Sequence, residues 1–132
     1  MEMHVTQDNA TVSLGLPADA ESISVVRAVV ASVASRLALP YDAVDDLRIA
    51  VAEAATLLLT RGTGATRLRV DLSPHADDLR LTVWVEGVVD DNEDAVRDSL
   101  AWRLIDGLTD EAVDTTVEQH PAIELRMRTV SQ

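Results

Sequence analysis

Apolar and polar residues alternate in the segment ATVSLGLP, which ends at Pro17, and this pattern predicts a β-strand. The next segment, ADAESISVVRAVVASVASRLAL, repeats its apolar residues every three to four positions, which predicts a helix. Asp19 stands where the N-cap of this helix would be, because its carboxylate can accept a hydrogen bond from a free backbone N–H. Pro40 marks the end of the unit.

A second helix is predicted to start at Asp42 and to continue through VAEAATLLLTRG, residues 51–62. One apolar stripe follows its length, formed by Val44, Leu47, Val51, Ala54 and Leu58. Ile49 and Leu57 extend the apolar character to other faces, so we expect neighbouring elements to cover this helix on two sides. Glu53 places a carboxylate in the middle of this apolar helix, and its role has to be explained.

The second half of the chain predicts more strands than helices. TRLRVDL and LRLTVWVE form two strands around the turn sequence SPHADD, and SLAWRLIDGL forms a short helix after the acidic, irregular stretch EGVVDDNEDAVRD. AVDTTVEQ and IELRMRTV predict a final hairpin that turns at HP. With no internal repeat and no linker, we expect one domain over residues 1–132. The order predicts an α+β fold, a two-layer sandwich of helices on one face of a mostly antiparallel sheet.

Charge and composition narrow the functional classes. The chain carries a net charge of −12, and all its basic side chains except histidine are arginines. Phosphates repel such a protein, so direct nucleic-acid binding is not expected, whereas a basic protein surface suits it. The absence of cysteine excludes disulfides and thiolate chemistry. We see neither a signal peptide nor an apolar run long enough to cross a membrane, and we expect a cytoplasmic protein.

General catalytic motifs are not visible in the chain. His4, His75 and His120 are scattered and lack metal-ligand spacing, so no metal site is expected. On residue spacing alone, Glu53 would simply share a solvated helix face with Thr56 and Thr60.

Residues 12–59, from VSLGLP to ATLLL, resemble the N-terminal half of bacterial anti-sigma-factor serine kinases, which belong to the Bergerat-fold (GHKL) ATPases. Three features carry the resemblance: the alternating strand that ends in L-P, the S-x-x-R of the first helix, and D-L-R-I-A-V-x-E-A in the second. LIDGLTDEAVD also resembles the late helix of the family and the turn that follows it. The resemblance implies the Bergerat fold, a homodimer, and an ATP and magnesium site in active members.

Several positions depart from the active pattern. Glu53 matches the general-base glutamate of the family, but Leu57 occupies the position of the magnesium-binding asparagine and offers the metal no oxygen. In the D-x-G-x-G box that reads adenine, Val85 replaces the aspartate and only Gly87 remains as a cofactor-binding candidate. The second glycine box reads SLAW at residues 99–102.

The stretch between the two boxes is acidic, with Arg97 as its basic residue. Its carboxylates belong to Glu86, Asp90, Asp91, Glu93, Asp94 and Asp98. Such a lid would repel a triphosphate, although an ordinary solvated loop has the same composition. We therefore expect a vestigial base at Glu53 and no bound cofactor, although the resemblance implies ATP and magnesium.

Arg27 matches an arginine with which the family binds its sigma factor, and Ser24 and Ile23 lie one turn before it. The resemblance further implies that an anti-anti-sigma factor with a STAS domain competes for an overlapping site. A solvated arginine, or one paired with Glu21 or Asp19, explains Arg27 equally well at this stage.

We expect an anti-sigma factor that sequesters a stress- or sporulation-type sigma factor by partner switching, without working kinase chemistry. Two alternatives stay open. One is an active serine/threonine kinase that binds ATP and phosphorylates the anti-anti-sigma factor. The other is a Bergerat-like scaffold with an unrelated regulatory partner.

Overall fold

The computed structural model describes residues 1–6, 11–61, 64–87 and 99–129. These ranges contain six strands and three helices, in agreement with the predicted α+β class. In chain order the elements are β1 (Glu2–Thr6), β2 (Thr11–Pro17), α1 (Ala20–Arg36), α2 (Tyr41–Thr60), β3 (Arg67–Pro74), β4 (Asp78–Glu86), α3 (Leu100–Leu108), β5 (Glu111–Val117) and β6 (His120–Arg128).

All six strands form one antiparallel sheet in the order β1-β2-β3-β4-β6-β5. Its register aligns one row of buried side chains across four strands, Leu14, Val70, Val83 and Ile123. Because successive strand residues point to opposite faces, this row and its neighbours give the sheet one apolar face. The opposite face carries charged and polar side chains and is not covered by a helix among the described residues.

The helices cover the apolar face, and α2 is the central one. It packs against α1, α3 and strands β4 and β6, so the predicted coverage on two sides is confirmed. Leu47, Val51, Ala54 and Leu58 of its predicted stripe are fully buried, while Val44 is half-buried. None of the helices in the described part of the chain combines the length and hydropathy that a bilayer crossing requires.

Local hydrogen bonds define where the helices begin. Asp19 is the N-cap of α1, as predicted: its Oδ1 accepts from the backbone N–H of Ser22 at 3.0 Å. The predicted start of α2 at Asp42 is wrong by one residue. The helix begins at Tyr41 after Pro40, and that proline provides no side-chain hydrogen bond to the first turn.

An N-terminal strand, which the sequence analysis did not predict, corrects the element order. β1 pairs with β2 from Glu2 opposite Gly15 to Thr6 opposite Thr11. Glu2 Oε2 lies 3.3 Å from Nη1 of Arg69 on β3, so this contact passes over β2. A Cβ on Gly15 would lie 2.7 Å from the same nitrogen, so any larger residue there would shift the Arg69 side chain.

The final hairpin turns at Glu118 and Gln119 and not at HP, where the sequence analysis placed it. Both turn residues have positive φ, 49° and 71°, and His120 and Pro121 already belong to β6. Two consecutive positive φ values match the twist of a two-residue hairpin. Glu and Gln rarely adopt that conformation, so the residue types did not reveal the turn.

Candidate functional site

A groove between α1 and α2 brings together two residues that the sequence analysis singled out, Arg27 and Glu53. The helices form a hairpin joined at residues 37–40, so the middle of α1 lies opposite the middle of α2. The groove has a volume of about 240 Å³. It is lined by Arg27 from α1 and by Asp45, Arg48, Ile49, Ala52 and Glu53 from α2.

The groove contains two charges, Arg27 and Glu53, that no ion pair neutralises among the described residues. Asp45 and Arg48 pair with each other, with Oδ1 and Nη1 3.7 Å apart. Arg27 is exposed and Glu53 is half-buried. Within the described part of the chain, neither forms an ion pair or a side-chain hydrogen bond. The groove therefore offers one cation and one anion to a binding partner.

Glu53 stands at the border between this groove and a solvated helix face. Thr56 and Thr60 are exposed, and their hydroxyls donate to the backbone carbonyls of Ala52 and Thr56 at 2.9 and 2.8 Å. The shared solvated face that residue spacing predicted is thus present. On the groove side, Glu53 has Ile49 and Ala52 as apolar neighbours.

The other predicted partner-binding residues lie on different sides of α1. Ser24 is exposed together with Arg27, whereas Ile23 is half-buried and packs against the hydrophobic core. Asp19 uses its carboxylate for the N-cap, where it also accepts from the Ser22 hydroxyl at 3.1 Å. The described contacts of Arg27 include no ion pair with Asp19 or Glu21, so its guanidinium is accessible.

Three described residues at positions matched to the nucleotide motifs, Leu57, Val85 and Trp102, pack in or against the core. Val85 is fully buried in the core, and Leu57 is half-buried against it. Ser99 is the N-cap of α3, where its Oγ accepts from the backbone N–H of Trp102 at 3.1 Å. The sequence SLAW is therefore the capped start of a helix, and Trp102 packs against the core. A magnesium ion finds no oxygen at Leu57, and an adenine amino group finds no acceptor on the side chain of Val85.

Gly87 lies at a close crossing of two backbone segments. Its φ is 90° and that of Gly64 is 91°, and a Cβ on Gly87 would lie 2.5 Å from the carbonyl oxygen of Gly64. The Thr66 N–H donates to the Glu86 carbonyl at 2.8 Å beside this crossing. The crossing alone explains the glycine, independently of any ligand.

Glu86 does not belong with the acidic stretch in which the sequence analysis counted it. It is the last residue of β4, and its Oε1 accepts from Arg69 Nε at 3.1 Å on the uncovered face of the sheet. The hydrogen bond to Glu86 raises the pKa of the Arg69 guanidinium above its ordinary value. The remaining predicted lid residues, including Arg97, lie outside the described residues.

The three histidines add no metal centre in the described ranges. His75 is exposed in a turn, and His120 is half-buried at the start of β6. The side chain of His4 is outside the described part. No group of three or more potential metal ligands occurs among the described residues.

A buried ion pair between α2 and β5 was missed by the sequence analysis. Arg61 Nη1 and Asp114 Oδ1 are 3.4 Å apart, and their side chains are only 4% and 5% exposed. Asp114 lies on the same face of β5 as Ala112, which packs against the core. The sequence did contain a signal: the carboxylate of Asp114 stands at a core-facing position of a strand. A buried charge needs a partner, so this position indicated a buried ion pair.

Comparison with known proteins gives one family and several relatives. A family model described as the histidine kinase-like ATPase domain matches residues 16–128. The anti-sigma-F factor RsbW of Mycobacterium tuberculosis is 28% identical over 100 residues, which cover 76% of this chain and 58% of that protein. The serine-protein kinase RsbW of Halalkalibacterium halodurans is 46% identical over 46 residues, 35% of this chain and 28% of that protein.

A serine-protein kinase RsbW of Bacillus velezensis is 42% identical over 45 residues, covering 34% of this chain and 28% of that protein. The chain thus spans 28% to 58% of the length of these curated relatives.

Proposed function

We propose that this chain, which belongs to the histidine kinase-like ATPase domain family, is an anti-sigma factor. An anti-sigma factor holds an alternative sigma factor away from RNA polymerase. The similarity to the anti-sigma-F factor of M. tuberculosis, which extends over 76% of the chain, supports this role. In a partner-switching system of this kind, an anti-anti-sigma factor with a STAS domain would release the sigma factor by competing for the same surface. We further propose that the protein acts as a homodimer in the cytoplasm.

The groove between α1 and α2 is the observation that carries the proposal. Arg27 lines the groove, is exposed and has no ion-pair partner in the part of the chain that the structure describes. An arginine fork can bind a carboxylate of another protein through two parallel hydrogen bonds. Ser24 is exposed one turn earlier on the same helix. Arginines in such positions often contribute strongly to the free energy of binding.

The residues that replace the nucleotide motifs do not fit ATP and magnesium. Leu57 and Val85 provide packing where the active family provides an oxygen ligand and an adenine acceptor. The start of α3 at Ser99 takes the place of a glycine loop. We therefore propose that sigma-factor binding proceeds without nucleotide and that Glu53 does not act as a catalytic base.

The charge-reversing substitution Arg27→Glu tests this function. The purified chain is mixed with each sigma factor of its own genome in the absence of ATP, and complexes are detected by size-exclusion chromatography with light scattering. We expect one sigma factor to form a stoichiometric complex that also blocks its transcription in vitro. Arg27→Glu should weaken this complex at least tenfold, because it places a carboxylate against the partner's carboxylate.

Arg103→Glu is the matched control, since Arg103 is an exposed arginine on α3, away from the groove. It changes the net charge equally and should leave the affinity within about twofold. The proposal is wrong if no sigma factor binds, or if both substitutions have the same effect.

A second candidate function is a serine kinase acting on the anti-anti-sigma factor. The similarity of 46% over 46 residues to a serine-protein kinase favours it. It predicts transfer of the terminal phosphate of ATP to a STAS-domain protein from the same genome, measured with radiolabelled ATP. Absence of transfer with every STAS-domain protein would exclude the kinase function.

A further inference from the structure

We propose that Glu53 is a recognition carboxylate, which receives a basic side chain of the sigma factor that docks in the groove between α1 and α2. Arg27 at the same time binds a carboxylate of that partner. This inference rests on the proposed function and adds the chemistry by which the groove selects its occupant.

The first argument is that Arg27 and Glu53 have no ion-pair partner among the described residues. Glu53 is half-buried and has no cationic partner among the described residues, although Arg27 lines the same groove. An ionised carboxylate without a counter-charge can accept a charge-assisted hydrogen bond from an incoming cation. The net charge of −12 attracts a basic partner over longer distances.

The second argument is the arrangement around Glu53. Asp45 and Arg48 pair with each other at 3.7 Å, whereas Arg27 and Glu53 form no ion pair among the described residues and need break none to bind a partner. Ile49 and Ala52 also line the groove, and Ile49 is 40% exposed. Exposed apolar surface beside charged side chains is a usual composition of a protein interface.

The third argument concerns the polar groups that follow on α2. The hydroxyls of Thr56 and Thr60 donate to the helix backbone, so their protons do not compete for the Glu53 carboxylate. Leu57, one turn further along the helix, offers no oxygen with which Glu53 could share a metal ion. Among the described residues, Glu53 therefore has no polar side-chain partner that a docking protein would have to displace.

The geometry also describes the partner. Arg27 and Glu53 line one groove from two packed helices. A complementary sigma-factor surface presents an acidic side chain to Arg27, a basic one to Glu53 and an apolar one to Ile49. The groove selects against a segment with two acids, because one of them would face Glu53.

The test measures the affinity for the sigma factor identified above by isothermal titration calorimetry, with wild-type protein and two variants. Glu53→Gln keeps the shape of the side chain and removes its charge, and we expect 5- to 20-fold weaker binding. Glu53→Arg should weaken binding at least 50-fold. The control Glu118→Gln makes the same chemical change at an exposed hairpin turn and should stay within twofold of wild type.

A charge-reversal scan distinguishes direct pairing from an indirect effect. Each Arg and Lys of the sigma-factor segment protected by the complex is changed to Glu and tested against Glu53→Arg. One of these substitutions should restore binding by at least tenfold. If none does, or if Glu53→Gln binds like wild type while Arg27→Glu is weakened, this inference is overturned and the anti-sigma function stands. If wild-type protein binds no sigma factor, both proposals fall.

Discussion

The Arg61–Asp114 pair shows that the contribution of an ion pair to stability depends on how deeply its side chains are buried. Both side chains are almost completely buried, so each charge has lost its hydration and depends on the other. The exposed pair of Asp45 and Arg48 has the same chemistry, yet its side chains are 54% and 40% exposed. Exposed pairs contribute little to stability, whereas removing one partner of a buried pair leaves an uncompensated charge.

We therefore expect Asp114→Ala to lower the free energy of unfolding by about 3–5 kcal/mol. Asp45→Ala should lower it by less than about 1 kcal/mol, since water already solvates that pair. Urea denaturation followed by circular dichroism measures both values. Equal effects of the two substitutions would show that burial does not determine the contribution of the Arg61–Asp114 pair.

Residue-scale prediction from the sequence succeeded where the signal was local. Asp19 was identified as an N-cap because capping involves residues within one turn of each other. Arg61 and Asp114 are 53 positions apart, and nothing local indicates that they meet. Glu86 was assigned to the acidic stretch by its neighbours in sequence, whereas the strand register directs it toward Arg69.

At the scale of elements, α1 depends on its N-cap more than α2 does. The Asp19 carboxylate accepts from the backbone N–H and the hydroxyl of Ser22, while α2 follows Pro40 without a side-chain cap. Both helices bury a continuous stripe against the sheet or against each other, which supplies most of their stability. The Asp19 cap adds a further stabilising contribution, which α1 has and α2 lacks.

Asp19→Ala should lower the free energy of unfolding by about 0.5–2 kcal/mol, because the first turn of α1 loses its side-chain acceptor. The matched control is Asp106→Ala on α3, an exposed aspartate for which no such contact occurs among the described residues. Thermal denaturation of both variants gives the comparison. A midpoint for Asp19→Ala no lower than that of the control would contradict the capping role.

The elements themselves were predicted well where periodicity was long and regular. α1, α2, α3, β2, β3 and β4 all lie where the apolar pattern placed them. β1 was missed because it is held in place by β2 and by the contact of Glu2 with Arg69, both distant in sequence. The hairpin turn was misplaced because its backbone conformation is unusual for Glu118 and Gln119.

The described part of the molecule keeps the architecture of its family, and packed side chains occupy two of the positions matched to nucleotide motifs, Leu57 and Val85. The family model over residues 16–128 confirms the resemblance seen in the sequence, and the two-layer α+β arrangement agrees with the Bergerat-type fold. Buried Val85 and half-buried Leu57 belong to the same core as the sheet and the helices. Packing of this kind stabilises a fold without any ligand.

We expect magnesium-ATP at millimolar concentration to leave the thermal midpoint of the protein unchanged. A ligand present at 100 times its dissociation constant would add about 2.7 kcal/mol to the free energy of unfolding, which shifts the midpoint of a domain of this size by several degrees. Differential scanning fluorimetry detects such a shift easily. Magnesium alone and ATP with a chelator are the controls, and a saturable increase that requires both would contradict the proposal that the protein works without nucleotide.

The sequence by itself determined the type and order of most elements, the face that each one buries, and the membership of the family. These follow from the spacing of apolar residues and from short motifs, which are local properties of the chain. Only the tertiary structure decided that Arg27 and Glu53 share one groove, that Arg61 pairs with Asp114, and that Glu86 faces away from the helices. Each of these contacts forms only when helices and strands that are distant in sequence pack together. A local sequence pattern does not encode which distant elements meet.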